Sequence, residues 1–254
     1  MKKVLLTFDL EEFDLPLELN QKISNEEMYR ISLEGLNNIL NILNKFDISA
    51  TFFTTANFAI MYPQVMRKIS INHEIASHGF SHSHPINLEN MGKAKKEKEK
   101  IIGKPILGFR APRWKIKDIT ILEKLGFKYD SSTHPIYLPG RYNNLKQKRK
   151  VHKINNLIEI PMSTLPPNFS IFWIAFKNLP LIYSKIFTKL NFLKSSYTML
   201  VFHPWEFADL SKINIPKHIK KTDGINLSKK LNDYLKFCKK NNYGFETCEE
   251  FLRV

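Results

Sequence analysis

The chain has 254 residues, 43% hydrophobic and 25% charged, and its Lys+Arg 39 against Asp+Glu 24 give a formal charge of +15. A length of this size suits one domain of barrel dimensions, and the composition excludes disordered, collagen-like and disulfide-scaffold classes. No apolar run reaches the roughly 18 residues that a spanning helix needs.

In chain order, short apolar runs of β type alternate with longer segments of helical period. Val4–Phe8 is the first predicted strand, and its start lacks the long apolar stretch of a signal peptide. Ser24-Asn-Glu-Glu27 predicts a capping box. The helix it opens places Met28, Ile31, Leu36, Ile39, Leu40, Leu43 and Phe46 on one stripe. Next come a strand over Ala50–Thr54, a helix from Pro63 and a strand over Glu74–Ser77. A Lys/Glu-rich helix over Leu88–Ile102 follows, whose lysines read as an exposed face with local pairing. Then follow strand Ile106–Phe109, helix Ile116–Leu125, short strands at Phe127–Tyr129 and Leu157–Ile160, strand Thr198–Phe202, helix Leu227–Lys239 and a last strand at Tyr243–Thr247. Ser131–Asn156 is too long and polar for an ordinary connection and predicts an excursion over one face. Strand–helix alternation repeated about seven times implies α/β architecture: parallel strands with crossover helices, closed or nearly closed into a barrel, as one domain over residues 1–254. No Gly-rich phosphate loop follows the first strand, which disfavours a nucleotide-binding sheet.

Polar residues with chemistry follow the strand runs directly. Asp9 and Glu11 follow the first, His78 and His82 the third, Arg110 follows Ile106–Phe109, Asp130 follows Phe127–Tyr129, and His203 follows Thr198–Phe202. In a parallel barrel these ends share one rim, where active sites form. His78 and His82, four apart, share a face if the segment makes a helical turn, and two imidazoles can hold one zinc-class ion. A carboxylate from Asp9-Leu10-Glu11-Glu12 would complete a two-histidine, one-carboxylate set. Glu11 and Glu12 are the alternatives, and Glu11 is preferred because it shares a strand face with Asp9. Each group also has a plainer reading: turn capping for Asp9, Glu11 and Asp130, structural pairing for Arg110, packing for His203. His84 and His134 are further candidates for the cleft whose plainer reading, like that of His73, is a surface or loop residue; Trp114 and Trp205 read as core or rim packing, or as faces on which a sugar ring can stack.

TFDLEEFD, HEIASHGFSH, GFRAPRW, KYDSS and LVFHPWEF, in this order, resemble the five motifs of the polysaccharide deacetylases, the NodB-homology domain of carbohydrate esterase family four. The acidic first motif and the HPWEF ending are closest to the cytoplasmic branch associated with exopolysaccharide clusters. The resemblance implies a distorted (β/α)7-type barrel that hydrolyses the N-acetyl group of amino sugars. It implies Asp9 as the base that deprotonates the attacking water, Arg110 as its partner, Glu11, His78 and His82 as ligands of a divalent metal of the zinc type, and His203 as the acid that protonates the leaving amine. It further implies Asp130 as the carboxylate that orients His203, and a backbone N–H near the Arg110 strand end as oxyanion donor. Two departures stand out: Leu10 follows Asp9 where a second aspartate is usual, and Gly79 follows the first metal histidine. A silent glycan- or membrane-binding barrel should have lost one of Asp9, His78, His82 or His203, and none is lost. An amidohydrolase acting on a non-sugar amide is the other alternative.

Two features bear on partners. The basic excess lacks any zinc finger, aromatic RNA motif or coherent basic stripe, so nucleic acid is not expected. Asn168–Phe192 interleaves Phe169, Phe172, Trp173, Phe176, Ile182, Ile186 and Phe187 with Lys177, Lys185 and Lys189. A core-facing helix is the default, and such a segment can also lie in an anionic membrane interface. That suits a lipid-linked N-acetylated glycan handled at the cytoplasmic face. With only Cys238 and Cys248, a reducing, cytoplasmic setting is expected.

Overall fold

The computed structural model describes residues 1–254. Its sheet grows from β1 (Lys3–Leu10), buried at every residue but the first, which is why that run is almost continuously apolar. β1 pairs in parallel with β2 (Thr51–Thr54) on one side and β12 (Tyr197–Phe202) on the other, in a register that sets Phe8 beside Phe202 and Thr7 beside Thr51. From β2 the sheet continues through β3 (Glu74–Ser77), β4 (Gly108–Phe109), β5 (Tyr129–Asp130) and β9 (Leu157–Glu159), all parallel, and ends on antiparallel β8 (His152–Ile154). β13 (Gly244–Phe245) adds to the start of β1. β8 and β12 end the path without pairing, so the distorted (β/α)7-type barrel is open. The excursion over Ser131–Asn156 carries the small hairpin β6 (Tyr137–Leu138) and β7 (Tyr142–Asn143), and a second hairpin joins β10 (Thr164–Leu165) to β11 (Phe169–Ser170).

Helices cover the outside. After the single turn α1 (Leu15–Glu18) comes α2 (Asn25–Phe46), whose N-terminus is capped by Ser24 Oγ, accepting from Glu27 N–H at 3.2 Å. Its stripe of Met28, Ile31, Leu36, Ile39 and Leu43 is buried. Gly35 lies in the same helix because the backbone of Pro204 passes there: a Cβ would sit 1.8 Å from the Pro204 carbonyl oxygen. α3 (Ala56–Met61), capped by Thr55, precedes α4 (Pro63–Ile69), which starts at the predicted proline. α5 (Leu88–Ile102) matches its predicted bounds, α6 (Thr120–Lys124) is shorter than expected, and α10 (Gly224–Lys240) is longer. The short α9 (Lys217–Lys220) and α11 (Cys248–Leu252) complete the set. Both cysteines are free and buried, and no helix is long and apolar enough to cross a membrane.

Two sequence expectations need correction. The lysines of α5 are not all surface groups. Lys93 and Lys95 pair with Glu89 and Glu99 as expected, but Lys98 is fully buried. Its ammonium donates to Thr54 O, Ser77 Oγ and Gly79 O at 2.8–3.1 Å. The aromatic segment is not one helix either, because Pro180 divides it into α7 (Trp173–Asn178) and α8 (Leu181–Asn191). Phe176 and Phe187 are core residues, so Phe176 cannot meet a lipid surface.

Candidate active site

Asp9 sits near the end of β1, and its Oδ1 accepts from Arg110 Nη1 at 2.7 Å. Arg110, just beyond β4, is wholly buried and used at every nitrogen: Nη1 also donates to Thr7 Oγ1, Nε to Ser131 O and Nη2 to Ser131 Oγ, while the guanidinium lies 3.9 Å from the Phe53 ring centre. A planar fork fixed in this way holds one carboxylate oxygen and leaves the other to the cleft.

Two residues on, Glu11 Oε2 lies 3.3 Å from His78 Nε2 and 2.7 Å from His82 Nε2. Glu12 turns away and accepts from Thr55 Oγ1 and Asn57 Nδ2, so the alternation of strand faces places Glu11 with the imidazoles. His78 to His82 is not the helical turn that the spacing suggests: the chain bends through Gly79 at φ +73°, and His78 and Gly79 stay in extended or loop backbone. Lys98 supports that loop through Ser77 Oγ and Gly79 O, and His82 Nδ1 is held from behind by Asp14 at 3.1 Å. Burial alone would push the Glu11 carboxyl up, but His82, His78 and His203 hold it well below the usual carboxylate range. Burial works against a charged His82, yet Glu11 and Asp14 raise it to about 11. The ligand atoms of Glu11, His78 and His82 lie within 4.8 Å of one another, and Glu11 Oε2 makes no aligned hydrogen bond despite its two close neighbours. Three Lewis bases converging on one point fit a divalent cation of the zinc class, and Asp14 is the outer partner such a ligand histidine commonly has.

His203 follows β12. Its Nε2 is 3.9 Å from Glu11 Oε1, while Nδ1 is 3.0 Å from Glu206 Oε1, which also accepts from the His203 backbone N–H. Glu206 belongs to the tight turn Pro204–Phe207, and its second oxygen lies 3.6 Å from the ammonium of buried Lys177. The imidazole stacks on Trp205 and meets the edge of Trp173. Burial would lower its pKa, but the hydrogen bond to Glu206 and the charges of Glu11, Glu206 and Asp9 raise it. These neighbours favour the protonated imidazole over the neutral one.

Asp130 does not play the expected part. It is buried, accepts from Ser132 Oγ at 2.5 Å and pairs by register with Glu159 on β9. Its place beside His203 is taken by Glu206. Two carboxyls directly opposite in a sheet repel unless one keeps its proton. Burial is the main cause of the rise in both, to about 6 for Asp130 and well above the usual carboxylate range for Glu159. The expected oxyanion donors are also committed elsewhere, since Arg110 N–H bonds Ser77 O and Ala111 N–H bonds Ser132 Oγ. His134 is a packed residue, bonded to Tyr142 and Ser170 and lowered by burial to about 3. His73 and His84 do not line the cleft, whereas Trp114 and Trp205 do.

Asp9, Glu11, His78, His82 and His203 thus open on one cleft of about 100 Å³, walled by Trp114, Trp173 and Trp205 and rimmed by Arg113 and Arg141. Glu206, Asp14 and Lys98 are the participants the motifs do not single out. For Glu206 a signal exists: it lies three residues past His203 in a proline-led turn, the spacing of a capping box.

Fold and site together define an open (β/α) barrel with a two-histidine, one-carboxylate cluster at its strand ends. The chain belongs to the polysaccharide deacetylase family, whose model matches residues 1–129. It is 32% identical over 111 residues to a peptidoglycan deacetylase of Helicobacter pylori, a match covering 39% of this chain and 36% of that protein. The match therefore spans about a third of the curated relative's length. Among solved structures, the PuuE allantoinase superposes with a TM-score of 0.68 at 16% identity, over 99% of this chain and 89% of the other. A polysaccharide deacetylase of Bacillus cereus superposes with a TM-score of 0.50 at 15% identity, covering 97% and 92%. A family-four pseudoenzyme of Bacillus anthracis gives 0.57 at 14%, covering 99% and 65%. At these identities the likeness is one of fold.

Proposed function

We propose that this chain is a divalent-metal-dependent hydrolase that removes the N-acetyl group from an amino sugar within a glycan. The observation that carries this reading is the meeting, in one cleft, of an arginine-held carboxylate, a cluster of two histidines and a glutamate, and a carboxylate-backed histidine. A cation such as zinc, held by Glu11, His78 and His82, supplies positive charge that makes water more acidic and draws electrons from the acyl oxygen. The free oxygen of Asp9 takes a proton from the attacking water, whose oxygen bonds to the acyl carbon. The carbon–nitrogen bond then breaks, and His203 Nε2 gives its proton to the departing amine, leaving acetate and a free amino sugar. Glu206 stabilises the charged imidazole before that transfer, and Arg110, bonded to Asp9 Oδ1, keeps that carboxylate aimed.

Trp114, Trp173 and Trp205 on the cleft wall suit the apolar faces of sugar rings. A cytoplasmic setting, supported by two free, buried cysteines of the kind a reducing compartment preserves, belongs to the same proposal, as does a lipid-linked form of the glycan.

The test is acetate release from N-acetylglucosamine oligomers and from lipid-linked N-acetyl sugars, with the metal content of the same samples measured. The zinc-loaded protein is expected to release acetate, and His78→Ala to lose both the metal and the activity, by about 10³-fold or more. Full turnover by a metal-free His78→Ala protein would overturn the metal assignment. No acetate from any N-acetylated glycan would overturn the function.

A further inference from the structure

The aromatic segment after β11 leaves an apolar face that the site does not use. On α8, Ile182, Ile186 and Leu190 recur at every fourth residue and are 60%, 50% and 48% exposed, and Leu193, just past the helix end, is 75% exposed. At 3.6 residues per turn, the three helical positions fall within about 80° of arc. The opposite face is fully committed: Phe187 enters the core, Thr188 Oγ1 bonds Tyr234, and Asn191 bonds Tyr197 O and Thr198. The outer stripe is therefore not a core face turned the wrong way. Contiguous exposed aliphatic side chains on one helix mark an interaction surface.

Charge selects the occupant. Between Glu159 and Glu206 the chain contains no Asp or Glu, while Lys185, Lys189 and Lys194 border the stripe. The ammonium groups of Lys185 and Lys189 lie over the Phe237 ring, 5.7 and 5.8 Å from its centre. A second copy of this chain, itself at +15, would set lysine against lysine with no acid on the helix to answer it. A bilayer with anionic headgroups offers negative charge at the level of the ammonium groups and hydrocarbon just beneath.

We propose that α8 docks this protein onto an anionic lipid surface, with Ile182, Ile186, Leu190 and Leu193 entering the headgroup boundary and Lys185, Lys189 and Lys194 contacting the headgroups. Of the segment's other apolar residues, Trp173 lines the cleft and Phe176 is buried, so neither faces lipid.

The experiment is co-sedimentation of the full chain with vesicles of phosphatidylcholine alone and of phosphatidylcholine mixed equally with phosphatidylglycerol. Binding is expected to the mixed vesicles, weakly or not at all to the neutral ones, and is expected to be lost at about 1 M salt, where screening acts over roughly 3 Å. Ile182→Ser/Ile186→Ser should lower partitioning about tenfold or more, and Leu190→Ser/Leu193→Ser serves as a second variant should the first lose its folded circular-dichroism spectrum. Lys185→Gln/Lys189→Gln should lower it several-fold at low salt. No binding of the unaltered chain to the mixed vesicles would overturn the proposal, as would equal binding by the serine variants. A concentration-dependent dimer that the serine variants abolish would overturn it in favour of self-association. Turnover is not read, so failure here and failure of the hydrolase reading are separate results.

Discussion

Asp9, Glu11 and His82, from β1 and the loop after β3, each present an atom to the cleft. Asp130 and Glu159, at the corresponding ends of β5 and β9, are 1% exposed and line a separate hollow beside Trp114. In the first group each ionisable side chain has an oppositely charged or imidazole partner within reach. In the second, two acids face each other and stay together by keeping a proton. Position at a strand end thus brings a polar residue to the rim, but the strand face and the neighbouring strand decide whether it reacts or supports. The same contrast separates Glu206 from Asp130 as partners of His203: Glu206 rides in the turn that carries the histidine.

Three measurements would sharpen or break this contrast. The largest effect is expected at Asp9. Asp9→Asn keeps the contact to Arg110 and removes the proposed base, so turnover should fall about 10³-fold with metal content unchanged. Retained turnover would move the base elsewhere. Next comes the pair of candidate orienting acids. Glu206→Gln should lower kcat by about 10–100-fold and shift the alkaline limb of the pH–rate profile to lower pH, because the His203 proton loses its stabilising carboxylate. Asp130→Asn should change kcat by less than about threefold; a larger loss and an equal pH shift would return the orienting role to Asp130. The smallest effect is on stability. Asp130 is raised to about 6 and Glu74 to about 7, so each folded carboxyl holds a proton that the unfolded chain has released. Their contribution is complete below about pH 4 and lost as pH rises through about 6 to 7. Melting temperature should therefore fall by several degrees over that interval, and Asp130→Asn should flatten part of the decline.

Much of the fold is legible from apolar period: β3 and α5 match their predicted bounds, and α5 does so because the Asn87 cap and Gly103 at φ +70° border it. β4 and β5 shrink to two residues each, since a short strand in an open barrel is set by its neighbours rather than by its own sequence. Asp9, Glu11, His78, His82, Arg110 and His203 converge as their strand-end positions suggest. Asp130 fails because nothing local reveals that Glu159, 29 positions later, will lie beside it in register. Lys98 is hidden for a similar reason: among alternating Lys and Glu, only the packing of α5 on the barrel shows which lysine points inward.

Gly35 makes one part of the cleft answer to a remote place. α2 supplies no side chain to the cleft wall, yet its backbone abuts Pro204 O, and Asn38 Nδ2 donates to Phe207 O at 2.9 Å. The turn that carries His203 is in effect a bracket bolted to that helix. A methyl group at Gly35 would press on the Pro204 carbonyl and displace the turn that begins at His203, leaving Glu11, His78 and His82, which stand on other elements, untouched.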